Sequence, residues 1–152
     1  MKNLVFSVAD KQYGVNILQV REVVRMRQVT PVPDVAAFIE GVISLRGKVI
    51  PLINLRKKLG FPAQADASNR IVVTRVQANW VGVVVDKVKD VVTFQPEEIT
   101  QPDDMLKSAR YLKGVVNLDS NLVLIVDIAG MLMDDEQASL QKVQERVEVK
   151  KK

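Results

Sequence analysis

A chain of 152 residues that is 47% hydrophobic can close one domain or two small lobes and is too apolar to stay disordered throughout. Aromatic residues make up only 5%, so the apolar content is mostly Val, Ile and Leu, which favours pleated surfaces. The formal charge of +4 is mild and part of it lies in Lys150, Lys151 and Lys152, which argues against a nucleic-acid binder, and the lack of Cys excludes disulfides and thiolate metal sites.

The opening MKNLVFSVADKQYG has no apolar h-region and reaches Asp10 at once, so it does not read as a signal peptide. Leu4, Phe6 and Val8 then alternate with Val5, Ser7 and Ala9, the period of a strand. Asp10, Lys11 and Gln12 supply a polar turn, and a return strand starts at Tyr13. Ile17, Val20, Val23 and Val24 fall at helical spacing, but residues 22–29 are rich in β-branched side chains; a short helical turn running into a strand is expected. TPVPD, residues 30–34, breaks the pattern, and Asp34 is placed to cap a short helix over VAAFIE, closed by Gly41. Residues 42–45 read as a strand, Arg46-Gly47 as a tight turn, and 49–55 as the partner strand, in which Pro51 implies an edge or a bulge. RKKLG ends this half as a helical turn with Gly60 at its cap, and FPAQADASN, residues 61–69, is a linker.

The second half repeats the plan. LVFSVADKQYGVNILQVREVV from Leu4 aligns with VVTRVQANWVGVVVDKVKDVV from Val72, and GVISLRGKVIPLINL from Gly41 aligns with GVVNLDSNLVLIVDI from Gly114. Gly14 meets Gly82, Val20 meets Val88 and Glu22 meets Asp90. The extra residues fall in QPEEITQPDDMLKSAR, a loop with two prolines. About five short strands per half suggest a small closed barrel. The tail differs: Leu140, Val143 and Val147 predict an amphipathic helix over about 135–149, whose first half packs. No apolar run approaches the roughly 20 residues that span a bilayer, so a soluble cytoplasmic protein is expected.

Catalytic chemistry has little to work with. The chain has no His and no Cys, which removes Ser-His-Asp and Cys-His catalysis and the common zinc sites. No phosphate-cradling glycine motif is present. Asp103-Asp104 and Asp134-Asp135-Glu136 fall in a loop and at a helix start, where acids are ordinary. No enzyme, cofactor or metal is therefore expected. The residues that stand out are Arg46, whose repeat partner is Asp119 and which the barrel does not need; Glu22 and Asp90, which share a position; and Ile17, Val20 and Val23, which read either as core or as the lining of a groove between lobes.

These same segments, LVFSVADKQYGVNILQVREVV and AAFIEGVISLRGKVIPLINLRKKLG, closely resemble the CheW family of chemotaxis coupling proteins, over residues 4–132. The resemblance implies an all-β fold of two intertwined five-stranded SH3-like barrels around a shared apolar interior. The first lobe would span about 12–68, and the second about 1–11 plus 69–135. It implies a non-enzymatic scaffold between the histidine kinase CheA, through its regulatory domain, and methyl-accepting chemoreceptors, with no nucleic acid and no membrane insertion. A paralogue serving another signalling cluster fits the same pattern. Carried over residue by residue, Arg46, Leu4, Ile17, Val20, Val23 and Val88 are implied receptor contacts, and Val20, Glu22 and Gly41 are tied to kinase binding.

Overall fold

The computed structural model describes residues 1–101 and 111–131; the expected tail helix and both acidic clusters lie outside these residues. Ten strands follow in chain order: β1 (Lys2–Val8), β2 (Lys11–Asn16), β3 (Val20–Arg25), β4 (Ile39–Leu45), β5 (Lys48–Asn54), β6 (Arg70–Val76), β7 (Asn79–Val85), β8 (Lys87–Thr93), β9 (Leu112–Leu118) and β10 (Asn121–Val126). Short helices α1 (Leu55–Lys58) and α2 (Ile128–Met131) follow β5 and β10. The hairpin turns are two residues long. Ala9-Asp10, Arg46-Gly47 and Asp119-Ser120 all carry positive φ at both positions, the turn whose twist matches that of the flanking strands. The first turn thus sits one residue earlier than the polar run Asp10-Lys11-Gln12 suggests.

Two five-stranded sheets result, in the orders β3-β6-β7-β5-β4 and β8-β1-β2-β10-β9. By the sequence repeat, β1, β2 and β3 correspond to β6, β7 and β8, and β4 and β5 to β9 and β10. Each sheet therefore combines the leading hairpin of one repeat with the three later strands of the other. The strands divide differently from the expected split of about 12–68 against 1–11 plus 69–135: one sheet, here barrel B, draws on residues 20–54 and 70–85, and the other, barrel A, on 2–16 and 87–126. A two-residue turn cannot separate β1 from β2, so whole hairpins change places. The chain crosses between sheets at a 3-10 turn, Ile17–Gln19, and at the single residue Asp86.

Each barrel is drawn closed by one isolated bridge. Thr30 and Val42 exchange both backbone hydrogen bonds at 2.9 Å, and Thr100 and Val115 do the same at 2.9 and 2.8 Å. Three apolar clusters result. Ile43, Leu52, Ile71 and Val73 fill barrel B, and Val5, Phe94, Val116 and Val123 fill barrel A. The largest cluster lies between the sheets, where Leu4, Phe6, Val8 and Val15 meet Ile39, Val72, Val81 and Val83.

Two local expectations fail. No helix forms over VAAFIE: Asp34 has φ 61, Ile39 and Glu40 already belong to β4, and the Phe38 carbonyl accepts the Asn54 N–H at 2.7 Å. Pairing with β5 outweighs a short helical propensity hemmed in by Pro31 and Pro33. Pro51 sits in β5, which has neighbours on both sides, and neither at an edge nor at a bulge. Its partner Val42 spends both backbone groups on Thr30, so the Val42–Pro51 pair needs no hydrogen bond. On the other side the parallel ladder to β7 begins only at Leu52 opposite Gly82, so the missing N–H costs nothing. The Asn54 side chain then accepts the Lys57 N–H at 3.2 Å and caps α1, and Gly60 closes that turn at φ 85.

Asn3 marks where the repeats diverge. It is fully buried in barrel A, its amide donates to Met1 O at 3.3 Å, and its Oδ1 has no partner among the described residues. Its repeat mate in barrel B is Ile71. Replacing Asn3 with Val should stabilise the protein by about 1 kcal/mol, because an unpaired buried acceptor costs more than the lost bond contributes. Urea denaturation checks this; a lower midpoint would show that the carbonyl is satisfied in solution.

Candidate docking face

Strand β3 carries a bulge that decides which side chains share a face. Val20 lies opposite Thr74 and Val23 opposite Val72, with the register shifting between Val20 and Glu22. Thr74 and Val72 are two residues apart on β6, so Val20 and Val23 point the same way, towards the space between the barrels. A regular strand would have put them on opposite faces. The second repeat reproduces the device: Val88 lies opposite Phe6 and Val91 opposite Leu4, with Lys89 bulged out. Val20 and Val88, together with Ile17, are half-buried against the inter-barrel core, whereas Val23 and Val91 are 38% and 44% exposed.

The 3-10 turn adds the most prominent apolar group. Asn16 Oδ1 accepts the Leu18 N–H at 3.0 Å and fixes the turn, and Leu18 is 89% exposed beside Ile17. Gln19 anchors the turn from the other side: its carbonyl accepts the Thr74 hydroxyl and its amide donates to Asp127 Oδ1 at 3.1 Å. A leucine held outward on a capped turn loses little ordering entropy if it is covered.

Arg46 and Glu22, assigned by resemblance to different partners, form one unit. Arg46 Nε lies 3.0 and 3.2 Å from the two Glu22 oxygens, and Nη2 lies 2.7 Å from Oε2. The hydrogen bonds from Arg46 hold the Glu22 carboxyl below its ordinary range, and the same bonds raise the Arg46 guanidinium. The Arg46 side chain is 67% exposed, so the pair fixes its direction and leaves the guanidinium open to solvent.

Two of the expected contact residues sit elsewhere. Leu4 is 4% exposed, pairs with Val91 across the β1–β8 ladder and belongs to the inter-barrel core, so its side chain is spent on packing. Gly41 is buried in β4 at φ 143, and a Cβ there would lie 2.2 Å from the Thr30 carbonyl oxygen. Its local job is barrel closure. Leu18 and Val91 were missed from sequence. Val91 was legible as the repeat mate of Val23; Leu18 carries no periodic signal, because one residue of a 3-10 turn looks like any other leucine.

Strand β3 thus carries apolar side chains on its inter-barrel face and the Glu22–Arg46 pair on its other face, over the barrel B end, and both faces have the composition of a protein interface. Among the described residues, no group of three His, Cys, Asp or Glu side chains could hold a metal ion, and no helix is long and apolar enough to cross a membrane.

Comparison with known proteins places the chain in a family. The CheW-like domain family matches residues 2–136. The chain is 34% identical to the chemotaxis protein CheW of Bacillus subtilis, covering 90% of this chain and 89% of that protein. It is 32% identical to the CheW of Klebsiella aerogenes, over 92% and 86%. The crystal structure of the scaffolding protein TtCheW from Thermoanaerobacter tengcongensis superposes with a TM-score of 0.80 at 30% identity, covering 89% of this chain and 94% of that one. With the fold and nearly the whole length in agreement, the chain belongs to the CheW family.

Proposed function

We propose that this protein is a cytoplasmic, non-enzymatic coupler that holds methyl-accepting chemoreceptors and the histidine kinase CheA in one membrane-associated signalling assembly. The observation that carries the reading is the doubled bulge, which turns Val20 and Val23, and Val88 and Val91, towards the inter-barrel space. A groove with rigid apolar walls suits a receptor helix, read by its own apolar stripe. Ile17, Leu18, Val20, Val23 and Val88 serve as the receptor-facing set in the groove, and Arg46, on the other face of β3, extends the receptor contact to the barrel B end. Glu22 acts by holding Arg46, and Val20 and Glu22 also face the kinase. Gly41 affects kinase binding through the shape of barrel B. Each interface is modest alone, and simultaneous attachment to two partners in an array supplies avidity.

Co-sedimentation with receptor-bearing membranes, with and without kinase, tests this. Coupler that brings no kinase to the membranes would end the proposal. Arg46→Ala should weaken receptor recruitment and leave the thermal midpoint within about 2 °C of wild type, since exposed ion pairs contribute little to stability. Val23→Lys should reduce recruitment about tenfold without loss of stability, because Val23 is already partly in water. Val20→Lys, half-buried on the core, should cost about 1–3 kcal/mol of stability as well. Thermal denaturation followed by circular dichroism separates the two; equal destabilisation by both lysines would show that Val23 is core.

A further inference from the structure

The repeat makes the two barrels near copies, so a difference between matching positions is a difference the fold does not require. At the barrel B end that carries the β4–β5 turn, Arg21, Arg46, Lys48 and Arg75 surround Trp80, with Glu22 as the one carboxylate. That is four cations against one acid, net +3. The matching positions on barrel A are Lys89, Asp119, Asn121, Ser7, Gln12 and Asp90: one cation against two acids, net −1. The same backbone frame thus presents ends of opposite sign.

The basic end is also built. The Arg21 guanidinium carbon lies 4.8 Å from the Trp80 ring centre and that of Arg75 lies 5.9 Å away, so both guanidinium groups are within cation–π reach of the indole. Arg75 is held further by its Nε donating to Gln77 O at 3.1 Å. Neither arginine forms an ion pair among the described residues. Glu22, the one carboxylate at this end, is already gripped by Arg46, so Arg21 and Arg75 keep donors with which to take a further carboxylate in a bidentate manner. Nucleic acid fits less well, because single-strand recognition stacks successive bases on several open aromatic faces, and this end has a single indole already approached by two arginines.

We infer that this end of barrel B is a docking site for a carboxylate-bearing segment of a partner protein, gripped by Arg21 and Arg75 across Trp80. The inference names the chemistry of one partner of the coupling function proposed above, and rests on that reading for its biological setting. It also gives the protein a polarity: partners with acidic faces meet barrel B and not its twin.

Trp80 is the sole tryptophan, so its emission reports this end alone. The experiment titrates the full chain with a short helical peptide bearing glutamates along one face, with its glutamine counterpart, and with a short DNA duplex, and follows Trp80 emission at low and high salt. The glutamate peptide is expected to give a saturating, salt-sensitive change that the glutamine peptide does not. The double variant Arg21→Gln, Arg75→Gln should weaken it about tenfold or more, and Lys89→Gln on the other barrel should leave it within about twofold. An unchanged titration in the double variant, no response to the glutamate peptide, or a duplex that binds as tightly overturns the inference. Co-sedimentation of wild type with receptor and kinase, run alongside, reports the coupling reading separately: peptide binding without co-sedimentation keeps the site and removes the coupler.

Discussion

Replacing Gly41 with alanine is expected to cost about 3–5 kcal/mol, the largest effect of any single methyl in this protein. The added carbon would lie 2.2 Å from the Thr30 carbonyl oxygen, 2.8 Å from its carbon and 2.9 Å from Pro31 Cα. All three are backbone atoms, so no rotamer change relieves the clash, and φ 143 is strained for any L side chain. Relief comes only by breaking the Thr30–Val42 bridge that draws barrel B closed. Two controls grade the claim. Gly114, the repeat mate, would place its Cβ 2.4 Å from the Ile99 side chain and 3.3 Å from the Thr100 oxygen, so Gly114→Ala should cost less, about 1–3 kcal/mol. Gly47, with nothing within 4 Å, should lose only about 1 kcal/mol from its positive φ. Urea denaturation gives the order, and hydrogen exchange at the Val42 and Thr30 amides shows whether closure has opened. A Gly41→Ala protein as stable as wild type that still fails to bind kinase would restore Gly41 to the interface and defeat the closure account.

That example shows what the sequence could and could not say. The repeat announced two equivalent halves, and alternation at Leu4, Phe6 and Val8 announced strands, because burial on one face leaves a period of two. Periodicity fixes a strand's faces and is silent about its neighbours, so the exchange of whole hairpins between sheets was not legible. The helix expected over VAAFIE failed for the same reason: its competitor, the bond from Asn54 to Phe38, comes from a distant residue. Arg46 stood out because its repeat mate is an acid, yet its partner Glu22 lies 24 positions away and no local rule joins them. The bulges that align Val20 with Val23 are equally invisible, since one extra residue in a Val-rich run leaves the pattern unchanged. The contact residues that the resemblance implies include Leu4, whose burial depends on packing between the two sheets and is not written in its own strand.

The second large effect is expected at Asp86, the only residue between β7 in one sheet and β8 in the other. Its N–H donates to Ser7 O at 3.0 Å and its Oδ2 accepts the Ala9 N–H at 2.8 Å, which ties it to the β1–β2 hairpin. Its carboxylate also takes Arg56 in a bidentate pair at 2.8 and 2.6 Å, which ties it to α1 on the other barrel. The two side chains are 21% and 17% exposed. Asp86→Ala should lower the thermal midpoint by roughly 5 °C or more, by leaving the turn N–H and a shielded guanidinium without their acceptor. Burial pushes the Asp86 carboxyl up, but the hydrogen bonds from Arg56 and the Ala9 N–H outweigh it and hold the group below the ordinary carboxylate range. A depressed value in the folded state means that the unfolded chain takes up the proton first. The contribution is therefore complete at neutral pH and is lost as the pH falls below about 4. The gap in midpoint between wild type and Asp86→Asn should narrow between pH 7 and that acid range; a gap that stays constant would show that the charge contributes nothing. At the other crossover the repeat mates of Asp86 and Arg56 are Leu18 and Ala129, and the Gln19–Asp127 hydrogen bond stands where the ion pair would be. One seam between the barrels is thus clamped by an ion pair and the other by a single amide–carboxylate hydrogen bond, with the exposed Leu18 beside it. Hydrogen exchange should accordingly be faster at the amides of residues 17–19 than at residues 85–87; equal rates at the two seams would show that the ion pair adds nothing.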